Sequence, residues 1–202
     1  MELTVIPLGP LSANMYLLQN EGDFYIVDPC VSPKDFTRYT QIEFDDSFSL
    51  KAIFVTHAHF DHIIYIEDWV ELTGAVVYMH DSEIESLNNP YLNCSQDMFL
   101  SKTFNISTKD IFKASELIDG LTVIHTPGHS SGSVCLFFEK DNLLLTGDTL
   151  FDGGVGRTDL PNGSDKELYF SLLNLFKIES NPKFYPGHGN SGFLNDEKSF
   201  YV

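Results

Sequence analysis

Residues 57 to 62 read His57-Ala58-His59-Phe60-Asp61-His62, three imidazoles and a carboxylate directly behind the apolar run Ala52-Ile53-Phe54-Val55. A core has little use for so many polar groups, and a surface gains nothing by clustering histidines. Neutral imidazoles and carboxylates bind borderline and hard divalent cations, so this stretch predicts a metal site. Later in the chain the same residue types recur singly, with His129 in Thr126-Pro-Gly-His-Ser, Asp148 in Thr146-Gly-Asp-Thr and His188 in Pro186-Gly-His-Gly. A glycine beside each fits a tight turn that aims a side chain across a strand end. Any one of these turns has an ordinary structural explanation. Five of the seven histidines falling in such positions is harder to explain that way.

The elements that must position these groups are short. Leu3 to Leu8 and Asn14 to Gln19 read as paired strands turned by Gly9-Pro10, and Phe24 to Val27 as a third, stopped by Asp28-Pro29. Asp28 either supports a nearby site or caps a turn. Ser32 to Phe48 is a segment of uncertain structure. Lys51 to Thr56 is a β-branched and aromatic strand that delivers the histidine cluster at its C-terminal end, where open α/β sheets bind ligands. Helical spacing follows over Ile63 to Leu72, closed by Gly74, then a strand over Ala75 to Met79 and a short helix capped by Asp81 and running through Leu87. Tyr91 to Lys109 reads as a surface loop or short helix that could border a site. Strands are expected at Leu121 to His125, Ser133 to Glu139, Leu143 to Thr146 and Lys183 to Tyr185. A helix capped by Asp165 runs to about Ile178, with Leu168, Leu172, Leu175 and Phe176 as a core-packing stripe.

Composition narrows the function classes. The 202 residues suit one domain, and 17 Phe supply ample core. Twelve Lys plus Arg against 29 Asp plus Glu leave a net charge of -17, which repels phosphate backbones and argues against nucleic acid as a partner. No apolar stretch reaches the roughly 18 residues of a membrane helix, and the first residues lack a signal-peptide pattern, so a soluble, cytoplasmic protein acting on a small molecule is expected. Cys30, Cys94 and Cys135 are odd in number and widely spaced, which argues against disulfides and against a cysteine-based zinc site. Buried free thiols are the default, with Cys30 a candidate to line a pocket because it follows a strand end.

The H-x-H-x-D-H motif at 57 to 62, followed in order by His129, Asp148 and His188, resembles the metallo-β-lactamase superfamily over most of the chain. Thr126-Pro-Gly-His-Ser, Thr146-Gly-Asp-Thr-Leu-Phe and Gly156-Arg-Thr-Asp-Leu-Pro161 resemble its glyoxalase II (hydroxyacylglutathione hydrolase) branch. The resemblance implies an α/β fold, a four-layer αββα sandwich with the site along one edge. It implies two divalent metal ions: His57, His59 and His129 hold one, Asp61, His62 and His188 the other, and Asp148 bridges them. Zinc is the first expectation and iron the second, with manganese also open, because Asp rather than Cys stands at 148. A hydroxide shared by two cations would attack a thioester such as S-lactoylglutathione, with Asp61 and Asp148 as the catalytic carboxylates and Asp61 a proton acceptor.

Two departures bear on the substrate. Relatives that bind glutathione commonly carry a basic C-terminal helical domain, whereas residues 1 to 202 read as a single domain ending soon after His188. Ile64 also stands where the family usually has Gly, which predicts a bulkier cleft floor. Arg157 either binds a substrate carboxylate or pairs with an acid such as Asp159 to fix its loop. His80 and His125 are expected to be structural or supporting. Besides thioester hydrolysis, a mononuclear-iron persulfide dioxygenase and a non-catalytic metal-binding module fit the residue types.

Overall fold

Short apolar runs with turn residues between them pair locally, and the chain opens that way. The structure, a computed structural model, describes residues 1–44 and 48–201. Strands β1 (Glu2–Ile6), β2 (Met15–Asn20) and β3 (Asp23–Val27) form an antiparallel meander, with Leu3 opposite Leu18 and Tyr16 opposite Val27. The segment after it, uncertain from sequence, contains α1 (Pro33–Thr40), started by Ser32, whose hydroxyl accepts the Asp35 N–H, while residues 45 to 47 lie outside the described residues. Strands β4 (Leu50–Phe54), β5 (Val76–Met79) and β6 (Thr108–Asp110) then add in parallel, giving a mixed sheet in the order β1-β2-β3-β4-β5-β6.

The second sheet has the order β13-β12-β9-β8-β7. It comprises β7 (Leu121–His125), β8 (Val134–Phe138), β9 (Leu143–Gly147), β12 (Lys183–Pro186) and β13 (Gly192–Phe193). A two-stranded ribbon, β10 (Leu150–Phe151) with β11 (Gly154–Val155), follows β9. The two sheets face each other across Tyr16, Leu18, Val27, Phe54, Val134, Leu136 and Leu145. The outer face of the first sheet buries Phe36 of α1 together with Phe60, Ile63, Ile66 and Trp69 from α2 (Phe60–Ile63) and α3 (Ile66–Thr73). Against the second sheet, Leu168, Leu172 and Leu175 of α5 (Asp165–Leu175) pack on Cys135, Leu144 and Phe184, with Leu194 of α6 (Leu194–Tyr201) beside them. Three apolar layers between four structural ones are the expected αββα sandwich.

Several local expectations differ from the fold. The helix read over Ile63 to Leu72 is two helices, because the Tyr65 N–H bonds the Pro29 carbonyl at 3.2 Å and leaves the helical ladder there. His80 and not Asp81 starts the turn that leads into α4 (Ile84–Leu87), its ring accepting the Ser82 N–H. Ser164 and not Asp165 caps α5 by accepting the Glu167 N–H. Tyr91 to Lys109 is more than a surface loop: Phe104 is buried in the first core, and Thr108 begins the edge strand β6. An edge strand held by backbone pairing on one side needs no apolar period, which is why Thr-Lys-Asp gives no sign of it.

Candidate metal centre

Strands β3, β4 and β5 run in parallel, as do β9 and β12, and β7 shares the direction of β9 through the antiparallel β8. Their C-terminal ends therefore line one edge of the sandwich. Asp28 leaves β3 there, His57 to His62 leave β4, His129 follows β7, Asp148 follows β9 and His188 follows β12. Turns close the approach. A side chain at Gly187 would overlap Asp148 Oδ1 and lie 2.6 Å from His62 Cε1, so only glycine lets β12 end this near the cluster.

The seven side chains converge. His57, His59 and His129 can place one ligand atom each within 4.8 Å of one another, and so can His57, His62 and Asp148, and Asp61, His62 and His188. His59 Nδ1 is 2.9 Å from His129 Nε2, and His62 Nε2 is 3.3 Å from His188 Nε2. Asp148 reaches both sides: Oδ2 lies 3.4 Å from His129 Nε2 and 3.5 Å from His188 Nε2, and Oδ1 is 3.5 Å from His62 Nε2. Asp61 Oδ2 is 3.3 Å from His188 Nε2.

The rings are oriented by what their other nitrogens touch. Asp28, turned by a left-handed backbone (φ 53°), accepts the Thr56 N–H on Oδ1 at 2.8 Å and the Thr56 O–H on Oδ2 at 2.7 Å. Its Oδ2 is also 3.0 Å from His62 Nδ1. An ionised carboxylate only accepts, so Nδ1 of His62 carries a proton and Nε2 faces the cluster. With its own hydrogen given to Asp28, the Thr56 oxygen accepts from His57 Nδ1 at 3.1 Å, which leaves His57 Nε2 bare. The Arg157 carbonyl does the same for His129 through Nδ1 at 2.8 Å, and the Leu11 carbonyl for His188 at 3.2 Å. Four Nε2 atoms are thereby turned toward the cluster by neighbours that can only accept or have given up their proton. Of the two readings of Asp28, the supporting one holds.

Electrostatics divides the cluster. Burial, with the neighbouring rings of His62 and His59, holds His57 well below the usual imidazole range, and burial with His129 takes His59 down to about 3. Burial also opposes a charge on His62, but the carboxylates of Asp148 and Asp61 outweigh it and raise that ring well above its ordinary value. Asp148 is driven low although burial opposes it, chiefly by His62. His57 Nε2 and Asp148 Oδ1 are buried without a hydrogen-bond partner. Orphaned buried atoms of these types are costly unless a cation fills the space between them, so the residues present fit a pair of divalent ions.

The cluster floors a cleft of about 450 Å³ walled by Leu11, Phe60, Met98, Phe151, Val155 and Leu160. Arg157 lines it too, its guanidinium making two 2.7 Å hydrogen bonds to Asp159. Cys94 lines the cleft, whereas Cys30 is fully buried against Ala13, so the pocket-facing thiol is the one that sequence position does not single out. Ile64 packs against the first core and not among the residues that line the cleft. His80 and His125 stack on each other at 4.3 Å, apart from the cluster, and Tyr185 packs at the edge of the inter-sheet core. Missed from sequence are Asn14, whose amide bonds the carbonyls of Pro186 and Gly189, and Tyr16, whose hydroxyl bonds that of Pro186; together they fix the His188 turn. Buried Glu83 is also missed. A polar residue within or directly before a strand that packs on an apolar layer, as Tyr16 and Asn14 are, is the available signal.

The metallo-beta-lactamase superfamily model matches residues 8–188. The chain is 32% identical over 195 residues to the Bacillus subtilis (strain 168) protein named "Probable metallo-hydrolase YqgX", covering 91% of this chain and 88% of that one. Among solved structures it is similar to TTHA1623 in a di-iron-bound form, with a TM-score of 0.85 and 30% identity over 96% of each chain. It is also similar to the BLEG-1 B3 metallo-beta-lactamase, with a TM-score of 0.86 and 29% identity over 99% of this chain and 98% of that one. Among the described residues no helix is long and apolar enough to cross a membrane.

Proposed function

The chain belongs to the metallo-beta-lactamase superfamily, and from that premise we propose that it is a dinuclear metal-dependent hydrolase that cleaves a thioester of the S-lactoylglutathione type. The observation that carries the reading is the convergence of five histidines and two aspartates into adjoining ligand groups, with His57 Nε2 and Asp148 Oδ1 buried and unpaired. His57, His59 and His129 would hold one ion, Asp61, His62 and His188 the second, and Asp148, within reach of both groups, would join them. When bound, such a pair supplies a water acidified toward neutrality and Lewis-acid polarisation of a carbonyl. The di-iron form of TTHA1623 supports iron as a candidate here beside zinc.

The protein's own groups do the rest. The apolar walls of the cleft, Phe60, Met98, Phe151 and Leu160, exclude water around an acyl group placed over the cluster. Asp61 lines the cleft and offers a carboxylate oxygen to a proton released during collapse. Arg157 is 64% exposed and its pair with Asp159 is a surface one, so exchanging that partner for a substrate carboxylate costs little.

The test is elemental analysis of protein purified without added metal, then assays on a thioester panel and on glutathione persulfide. Two ions per chain and thioester hydrolysis that is lost to a chelator and restored by metal are expected. Intact thioesters in metal-loaded protein would overturn the reading. One iron per chain with oxygen uptake on the persulfide would replace it with the dioxygenase, and native protein without metal would replace it with a non-catalytic module.

A further inference from the structure

A carboxylate that touches neither the cleft nor a ligand ring sits behind the three-histidine group. Glu83, in the turn between β5 and α4, is 2% exposed. Taking an ionised carboxylate out of water costs several kcal/mol unless its oxygens are satisfied, and here they are. Oε2 accepts the Ala58 N–H at 2.9 Å, and Oε1 accepts the Ser130 O–H and the Gly132 N–H, both at 2.7 Å. Ala58 lies between His57 and His59, and Ser130 directly follows His129. The loops belong to different sheets, and Glu83 comes from a third segment, 25 residues from Ala58 and 47 from Ser130. A Cβ at Gly132 would come within 2.7 Å of Glu83 Cγ and 2.8 Å of its Oε1, so the second loop is shaped to receive this carboxylate.

We propose that Glu83 is a positioning residue for the three-histidine group: its carboxylate clamps the loop of His57 and His59 to the loop of His129 at the spacing one metal ion needs. The proposal rests on the metal-binding reading of the cluster. It singles out one group, because the bonds of Glu83 go to the loops of His57, His59 and His129, while His62 is oriented by Asp28 and His188 by the Leu11 carbonyl. The chemistry requires a carboxylate and not merely a side chain of that size. Three donors converge on two acceptor oxygens; Glu83→Gln keeps the volume but turns one oxygen into an amide donor, which then faces either the Ala58 N–H or the Ser130 and Gly132 donors.

The experiment measures zinc affinity by chelator competition in two backgrounds that each keep one group: His188→Ala, which cripples the second, and His129→Ala, which cripples the first. Partners that orient ligands are worth about tenfold to a hundredfold in metal affinity. Glu83→Gln is therefore expected to weaken zinc binding about tenfold or more in the His188→Ala protein and less than about twofold in the His129→Ala protein. Glu197→Gln, at another buried carboxylate on α6, is expected to weaken neither. Equal losses in both backgrounds, or none in the first, overturn the proposal. If Glu83→Gln does not fold by circular dichroism, Ser130→Ala, which removes one bond to the same carboxylate, is read in the same two backgrounds with the same ranking expected and the same results overturning it. Wild-type protein that takes up no zinc, iron or manganese sinks the underlying reading, and this proposal with it, and so is distinct from a failed clamp in a protein that binds metal.

Discussion

Replacing Asp28 with asparagine tests whether one buried carboxylate sets the proton positions on both sides of the cluster. Asp28 is 1% exposed and receives three groups: the Thr56 N–H, the Thr56 O–H and His62 Nδ1. Asparagine has the same shape but one acceptor oxygen and one amide donor. If the amide faced the Thr56 N–H, two donors would meet, at a cost of about 1–3 kcal/mol. The favoured arrangement therefore puts the amide toward Thr56 Oγ1 and His62 Nδ1. His62 Nδ1 must then accept, and its proton moves to Nε2. The Thr56 hydroxyl, now accepting from the amide, is free to donate to His57 Nδ1 and moves that ring's proton to Nε2 as well. Each ring loses the lone pair it turns toward the cluster. A loss of about tenfold to a hundredfold in affinity per ion is expected, equivalent to about 1.4–2.7 kcal/mol each. Calorimetric zinc titration of chelator-stripped protein reads the affinities, and nitrogen-15 NMR of the metal-free protein, at a pH above the raised pKa of His62 so that the ring is neutral, reads the tautomers. Thr56→Val, which removes the hydroxyl that links Asp28 to His57 but leaves Asp28 on His62 Nδ1, should weaken one ion more than the other. Unchanged affinity in Asp28→Asn, or His62 still protonated at Nδ1, would refute the reasoning.

Three further outcomes follow from other parts of the structure. Gly187→Ala should fold with reduced stability and hold less metal by elemental analysis, because the new methyl overlaps Asp148 Oδ1 and crowds His62 Cε1; full metal content would show that β12 can shift to make room. Burial, aided by the charges of Asp97 and Asp61, raises the Cys94 thiol from 9.0 to about 11. The reactive thiolate is thus scarcer below that value, and alkylation at pH 8 should run about a hundredfold slower than for a free thiol of pKa 9, accelerating as pH rises toward 11. Trp69→Ala should cost about 3–5 kcal/mol in urea unfolding. Trp69 is fully buried edge-on to Phe36 at 5.0 Å, and its ring N–H bonds the Val31 carbonyl at 2.8 Å.

Much of the fold is legible where strands are apolar and bounded by Gly or Pro: the bounds of Leu121 to His125 agree to the residue, and those of β2, β3, β5, β9 and β12 to within one or two residues at their ends. Element boundaries fail where a distant backbone group intervenes, as Pro29 does at Tyr65, and where a cap competes with its neighbour, as Ser164 does with Asp165. The short ribbon β10–β11, the edge strands β6 and β13, and the terminal helix α6 carry too little periodic signal to stand out.

The histidines and aspartates at 57 to 62, 129, 148 and 188 are legible in the sequence as residue types able to bind metals, because residue type and, at 129, 148 and 188, the neighbouring glycine are local properties. Whether the set could bind anything depends on lone pairs, and those depend on contacts between distant segments. Asp28 orients His62 across 34 residues, the Arg157 carbonyl orients His129 across 28, and the Leu11 carbonyl reaches His188 across 177. The same holds for Cys94 lining the cleft in place of Cys30, and for Glu83, which nothing in its own neighbourhood of sequence marks as more than a helix-turn acid. A hydrogen bond between strand ends is fixed by sheet order and register. Both arise only when the two sheets close on their shared core.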